Sequence, residues 1–352
     1  MTTMATITAP LKIRFRDAQV EMAHGAGGKA SRRLVEGLFA PLLLEAGAAE
    51  PLGDAAHLDF SGTRIGFTTD SFVVRPLRFP GGSIGELAVN GTVNDLAVSG
   101  ARAEALVVSF VLEAGLLTPV LEAEVRAMAD AARNAGVIIA SGDTKVVEHG
   151  KADGMYITTA GIGRAIPGLK LSPRSVRPGD QVILSGPVGD HGITILLARG
   201  ELDLESDLRS DTRPVLPFVE SIVEVAAPGL RWMRDPTRGG LATSLNELAR
   251  DCGLGVVLRE DSIPIRDAVR GACELLGLDP LHIANEGQFV AVLAPEFAEL
   301  ALDALQRTPG GEHAAIIGEV REIPAATVLG VAPYGGTRVI DMLVGDPLPR
   351  IC

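Results

Sequence analysis

At 352 residues, with 47% apolar but only 4% aromatic side chains, the chain is longer than a usual single core and long enough for two aliphatic ones. Its formal net charge of -12 argues against a general nucleic-acid binder and against adhesion to an anionic membrane, so phosphate ligands must be met by metal ions or backbone amides. No apolar run approaches a membrane span and residues Met1 to Lys12 lack the charged start and apolar core of a signal peptide, so a cytoplasmic protein is expected.

His24-Gly25-Ala26-Gly27-Gly28-Lys29 precedes a helical pattern through Leu34, Val35 and Leu38. A flexible loop that feeds a helix N-terminus suits anions. It is not a P-loop, because the first glycine of that spacing falls on Ala23 and no Ser or Thr follows Lys29. Thr63 to Asp70 reads as a β-strand that delivers Asp70 to its end, where carboxylates of α/β proteins meet ligands. Ser83 and Glu86 predict a capping box for a helix to about Ser99, with Gly100 as its stop. On that helix Asn90 and Asn94 share a face and Asp95 adjoins them, oxygen donors of the kind magnesium takes. Thr118 is expected to cap the next helix, with Pro119 at its first position and Gly136 at its end. Val137 to Ala140 reads as a short buried strand opening into the loop Ser141-Gly142-Asp143-Thr144-Lys145, where an acid and a lysine leave one strand end. Tyr156 to Gly163 reads as a further strand.

The proline and glycine cluster from Pro167 to Gly179 reads as an interdomain connection. Beyond it, the strand Gln181 to Ser185 leads through Gly186-Pro187-Val188-Gly189-Asp190-His191-Gly192 straight into a helix. Arg234-Asp235-Pro236-Thr237-Arg238-Gly239-Gly240-Leu241 opens another, with Thr237 as the expected cap and Gly239 and Gly240 allowing a phosphate close to the positive helix end. Strands at Val256 to Leu258, Gln288 to Leu293, Ala314 to Val320 and Thr327 to Val331 alternate with helices at Ile265 to Leu276 and Phe297 to Arg307, an α/β layer domain. Between them Ala284-Asn285-Glu286-Gly287 sets a carboxylate on a tight bend. Thr327 to Val331 and Thr337 to Met342 predict a hairpin around Gly335-Gly336. The expected divisions are an N-terminal segment at 1–50, a first domain at 51–165, an α/β domain at 166–342 and a mobile tail at 343–352.

The chain ends Pro349-Arg350-Ile351-Cys352, a thiol on the final residue. Eleven extended residues beyond Asp341 reach roughly 35 Å, enough to carry that thiol from a domain surface into a cleft. Cys252 and Cys273 sit in helical apolar patterns and read as core, and the three cysteines have neither disulfide nor zinc spacing. A prenylation signal does not fit, because it needs three residues after the cysteine.

Asp70, Asn94-Asp95, Asp143 and then Asp235 before a glycine-opened helix resemble the ATP-binding superfamily of aminoimidazole ribonucleotide synthetase, selenophosphate synthetase and thiamine monophosphate kinase. Within it, His24 to Gly28, Asp235 to Leu241, Asn285 to Gly287 and above all Pro349 to Cys352 look like the HypE family of hydrogenase-maturation proteins. The resemblance spans nearly the whole chain, with Ala26 standing where the family's glycine loop is expected to carry serine. It implies a two-domain aminoimidazole ribonucleotide synthetase-like α/β fold, a homodimer whose first domains build a joint β-barrel, and ATP in the cleft between domains. It also implies that Asp70, Asp95 and Asp235 occupy the magnesium and triphosphate positions. Asn94, Asp143, Thr144, Gly239 and Gly240 complete the expected nucleotide-binding set.

A carbamoyl group on Cys352 is a thioester-like carboxamide whose oxygen leaves poorly until ATP phosphorylates it. Loss of phosphate and of the amide protons then gives a thiocyanate, so the site needs Mg2+ for the phosphates and a base near the nitrogen. Lys145, His149 and Glu286 are the candidates, with Glu286 the preferred acceptor, Lys145 better suited to stay charged beside the phosphoryl group, and His149 facing solvent. By resemblance, the carbamoyl group comes from the carbamoyltransferase HypF and cyanide goes to iron on the HypC and HypD scaffold. Two other readings stay open at this point: a small-molecule kinase or synthetase that does not use Cys352, and a non-catalytic nucleotide-dependent adaptor.

Overall fold

The strands fall into two large sheets and one small ribbon among the described residues. A computed structural model describes residues 14–43, 52–200, 206–345, 348 and 350–352. Among these, the first sheet comprises β1 (Ala56–Phe60), β2 (Thr63–Phe72), β5 (Ala101–Glu113), β6 (Ile138–Val147) and β7 (Met155–Ala165), in the order β1-β2-β7-β5-β6. β3 (Arg78–Phe79) and β4 (Gly82–Ser83) form a separate small ribbon that leads into α3 (Ile84–Val98). Within this first sheet, among the described residues, only β5 and β6 pair parallel, joined by the crossover helix α4 (Thr118–Ala135).

α3 is buried nearly all round, which fits its lack of a polar face. One side of it packs on Phe72, Leu106, Val108 and Ile157 of the sheet. Its C-terminal Ala97 and Val98 enter the core of the second domain. The opposite face of the sheet is open: Phe67, Ile162, Ala105 and Ile138 share one registered row, and of these Phe67, Ile162 and Ile138 are exposed.

The second sheet has the order β14-β13-β10-β12-β8-β11-β9. Its strands are β8 (Gln181–Leu184), β9 (Leu230–Arg234), β10 (Gly255–Arg259), β11 (Val290–Leu293), β12 (Ala315–Arg321), β13 (Val328–Val331) and β14 (Thr337–Val339). Helices cover both faces. Val290 and Val292 pack with α7 (Gly240–Cys252), whereas Ala291 and Leu293 pack with α6 (Leu216–Ala226) and α9 (Pro295–Arg307). That two-sided burial explains the unbroken aliphatic run of β11. α5 (Asp190–Ala198) and α8 (Asp267–Leu276) lie between this domain and the first, sharing a core with Phe72 and Leu87. Before the first sheet, α1 (Gly28–Leu34) continues through a π turn into α2 (Ala40–Leu43).

Several local expectations are corrected. The strand expected at Val137 to Ala140 runs on to Val147 and is exposed, because it is the outer strand of the sheet with a ladder on one side only. Residues Asp143 to Lys145 therefore belong to a strand and not to a loop. The capping box at Ser83 does not form: the Gly85 N–H donates to Glu124 Oε2 of α4 at 3.2 Å, and Ser83 Oγ is buried without a partner. Thr118 is the first residue of α4, after Leu117. Gly239 caps α7 in place of Thr237, whose carbonyl instead accepts from the Gly240 N–H at 2.9 Å.

Candidate active site

Three loops of the second domain are tied together by one amide. Asn285 Oδ1 accepts from the Gly189 N–H at 2.7 Å, and its Nδ2 donates to the Pro236 and Ile283 carbonyls at 2.8 and 3.0 Å. The next residue, Glu286, is set by the Asp211 carboxylate, which accepts from the Glu286 and Gly287 N–H groups at 3.1 and 3.2 Å. A Cβ on Gly287 would collide with the Asp211 carbonyl oxygen, so this bend requires glycine for close approach, whatever its dihedral angles. Asn94 of α3 clasps the same region from the first domain: Nδ2 donates to the Arg213 and Glu286 carbonyls at 2.9 and 3.1 Å, and Oδ1 accepts from the Val215 N–H at 2.8 Å.

Around this frame gather Asp54, Asp70, Asp95, Asp235 and Glu286. Burial is the first cause that pushes each of these carboxyls above its ordinary range. Mutual repulsion adds to it: Asp95 feels Asp235, Asp54 and Asp70, and Glu286 feels Asp70, Asp235 and Asp211. Glu286 is 4% exposed and its Oε1 has no hydrogen-bond partner. Asp95 is held by Thr68, whose hydroxyl donates to Oδ2 at 2.9 Å. Two arginines face the acids. Arg234 lies 3.1 Å from Asp54 and also pairs with Glu247, while Arg238 lies 3.7 Å from Asp70. A cleft of about 290 Å³ is lined by His24, Asp54, Arg234, Asp235 and Arg238 among others. Among the described residues no three His, Cys, Asp or Glu side chains are drawn together closely enough to hold a metal ion.

The tail enters this region. Leu348 and Ile351 are buried in the core shared by the two domains, and Cys352 is partly buried. The Val73 and Arg75 N–H groups, just past β2, donate to main-chain oxygens of Cys352 and Arg350 at 3.0 and 3.2 Å. Arg350 Nη1 reaches both Asp153 oxygens at 2.9 Å, and Arg199 donates to the Arg350 carbonyl at 2.8 Å. The charge at Cys352 is the largest influence holding Arg238 protonated, ahead of Asp70, Glu286 and Asp95. The last residue of the chain thus lies within electrostatic reach of the guanidinium that faces the acid cluster.

Residues 52–165 match the family described as AIR synthase related protein, N-terminal domain, and residues 177–329 the corresponding C-terminal domain. The carbamoyl dehydratase HypE of Azotobacter vinelandii is 48% identical over 341 residues, covering 97% of this chain and 99% of that protein. The chain belongs to the HypE family. Its fold superposes on a HypE–HypF complex with a TM-score of 0.83 at 41% identity, covering 88% of this chain and 99% of that one. A HypE structure in complex with ATP gives a TM-score of 0.79 at 45% identity, covering 94% and 99%. The two-domain α/β fold implied by the sequence is therefore the fold of this HypE-family chain.

Of the residues singled out from the sequence, Asp70, Asp95, Asp235 and Glu286 lie close enough to repel one another, and the charge at Cys352 acts on Arg238, which faces them. Asn94 does not face the acids, because both ends of its amide are used by main-chain groups of the second domain. Gly239 and Gly240 head α7, but close packing explains them: a Cβ on Gly240 would meet the Leu281 and Ile283 carbonyls at 2.6 and 2.7 Å. Asp143, Thr144 and Lys145 lie on β6, three strands from Asp70, roughly 14 Å at the usual strand spacing. Asp143 also shares its registered row with Ser71, so it points to the opposite face from Asp70. Lys145 pairs with Asp143 at 2.8 Å in solvent, and the exposed His149 lies 3.1 Å from Glu113. Sequence reasoning missed Asp54, Asp211, Arg234 and Arg238 as parts of the site. Arg238 had a signal, since it sits between Asp235 and two glycines.

Proposed function

We infer that this chain is an ATP-dependent carbamoyl dehydratase that converts a carbamoyl group on the Cys352 sulfur to a thiocyanate, supplying cyanide ligands for the iron of nickel–iron hydrogenase during maturation. The observation that carries the reading is the docked tail, which seats Cys352 on Val73 within electrostatic reach of Arg238, the guanidinium that also acts on the buried Glu286, whose Oε1 has no hydrogen-bond partner.

The chemistry balances as follows. The carbamoyl oxygen attacks the γ-phosphorus of ATP and ADP leaves. The C–O bond then breaks with loss of phosphate, both nitrogen protons depart, and the carbon–nitrogen triple bond forms on sulfur. Glu286 is the proton acceptor, because burial and neighbouring carboxylates raise its basicity. Arg238 faces the oxyanions of the transferring phosphoryl group, where a fixed guanidinium is most effective. Asp70, Asp95 and Asp235 would hold magnesium. Their mutual repulsion fits a cation site even though the three are not drawn onto one point here. When bound, the ion supplies charge neutralisation for the triphosphate.

The proposed assembly is a homodimer in the cytoplasm, with HypF as carbamoyl donor and a HypC and HypD scaffold as cyanide acceptor. The open edge of β6 and the exposed apolar row of the first sheet support a joint barrel between two copies, since an isolated sheet would leave both uncovered. Lys145 lies on that edge, away from its own chain's acids, so any part it plays at a nucleotide acts across the dimer junction.

The test starts from protein already carbamoylated on Cys352. Glu286→Gln should bind ATP yet form no thiocyanate, as judged by the mass of the C-terminal peptide; a normal rate of formation would remove Glu286 from the mechanism and leave Lys145 as the next acceptor.

A further inference from the structure

One buried side chain that the chemistry above leaves unused touches the tail directly. His191, in the first turn of α5, is 0% exposed. Its Nε2 lies 2.5 Å from the Ile351 carbonyl oxygen and its Nδ1 lies 2.8 Å from Ser210 Oγ. A carbonyl oxygen can only accept, so Nε2 carries the proton and donates, which leaves Nδ1 to accept from the Ser210 hydroxyl. Ser210 Oγ already accepts from the Thr212 N–H at 3.2 Å, consistent with its own proton being directed at the imidazole. Burial pushes His191 down to about 4, so the ring is neutral at pH 7 and its tautomer follows from these partners. Phe79 holds the ring edge-on at 5.6 Å.

The contact falls on the peptide unit between the residue that anchors the tail and the residue that carries the thiol. On one side Arg350 sits in the left-handed region at φ 57°, a conformation that a non-glycine residue keeps only where its surroundings impose it. On the other side Cys352 returns to the Val73 N–H. A tail that must leave to be loaded and return to react needs one register in which it is read, and a main-chain carbonyl fixes register whatever the side chain.

We propose that His191 is a positioning residue for the dehydration step: with its tautomer set by Ser210, it grips the Ile351 carbonyl and fixes the depth at which Cys352 is seated against Val73. The inference rests on Cys352 as the carrier, yet the latch can be measured without any chemistry on a carbamoyl group.

The readout is the rate at which iodoacetamide alkylates Cys352 in the full-length chain at fixed pH, followed on the C-terminal peptide. His191→Leu, which keeps bulk but has no donor, should raise that rate about two- to tenfold, the range set by one net hydrogen bond. Ser210→Ala should raise it by less, and His191→Gln, which retains an N–H donor, should restore the slow rate. A purely space-filling role is separated by melting. The loss of melting temperature in His191→Leu should be larger in the full chain than in a chain lacking residues 349–352. Equal alkylation rates in the parent and His191→Leu, or the same melting loss with and without the last four residues, would overturn the proposal. If alkylation responds as expected while carbamoylated parent protein forms no thiocyanate with ATP, the latch stands and the dehydratase reading falls.

Discussion

Asn94 separates two accounts of the cleft, because its sequence position suggests an oxygen ligand whereas its contacts make it a clasp between domains. Asn94→Ala removes two donated hydrogen bonds, at 2.9 and 3.1 Å, and one accepted bond at 2.8 Å. The accepted bond matters most, since Val215 is 0% exposed and its N–H would be left without a partner, at about 1–3 kcal/mol. The Arg213 and Glu286 carbonyls lose a partner each, at about 0.5–1 kcal/mol apiece, so the whole truncation should destabilise the fold by about 2–5 kcal/mol. At the few degrees per kcal/mol expected for domains of this size, that lowers the melting temperature by about 5–20 °C. ATP affinity, measured below the melting transition by calorimetry, should fall less than about tenfold. The dehydration rate should fall further, because the Glu286 carbonyl is one of the clasped groups. A variant that melts like the parent but no longer binds ATP would refute the clasp and restore Asn94 as a ligand.

The remaining predictions concern the acids. Asp70→Asn, Asp95→Asn or Asp235→Asn should each lower ATP turnover by about 100-fold or more while HypF-dependent carbamoylation of Cys352 continues; magnesium-dependent hydrolysis at the parent rate in all three would remove the proposed site. The pH dependence has a definite sign. A carboxyl whose folded pKa is raised favours the fold fully below its unfolded value and loses that contribution as pH rises through the folded value, so the ligand-free chain is penalised toward alkaline pH by Asp95. The melting temperature of Asp95→Asn relative to the parent should therefore climb as pH rises above the ordinary aspartate value of 3.8, and parallel curves would show that Asp95 is not a strained charge.

Much of the second domain was legible because its strands are short aliphatic runs bounded by turn residues, as at Val256 to Leu258 and Thr327 to Val331. The first domain was harder to read. An unbroken apolar run cannot show that its strand ends at a sheet edge, so Val137 to Ala140 read as buried although β6 is exposed along nearly its whole length. Cap positions failed where a distant group won the same donor, as Glu124 does at Gly85 from 39 residues away. The site was legible as a set of acids: Asp70 reads close to a strand end, Asp95 as a carboxylate in an otherwise small, apolar helix, and Asp235 and Glu286 ahead of glycines. Its counter-charges were not, since Arg234 and Arg238 acquire meaning only from what folds against them. His191 stood in a quoted loop, and nothing local reveals that its partner is a carbonyl 160 residues later.

The balance of charge in the cleft constrains the order of events. Asp54, Asp70, Asp95, Asp235 and Glu286 face Arg234 and Arg238, and the first arginine is already committed to Asp54 and Glu247. Arg238 is left to serve Asp70, Glu286 and the charge at Cys352 together. A triphosphate entering such a cleft is repelled unless cations arrive with it, which reconciles nucleotide use with an acidic chain. Once phosphate oxygens engage Arg238, its attraction for the chain end weakens, while the contacts at Val73, Arg75, Arg199 and Asp153 remain because none of them uses the cleft charges. The described tail residues are thus held largely by main-chain and peripheral bonds, which would stay in place if Arg238 turned to the departing phosphate in the role proposed for it.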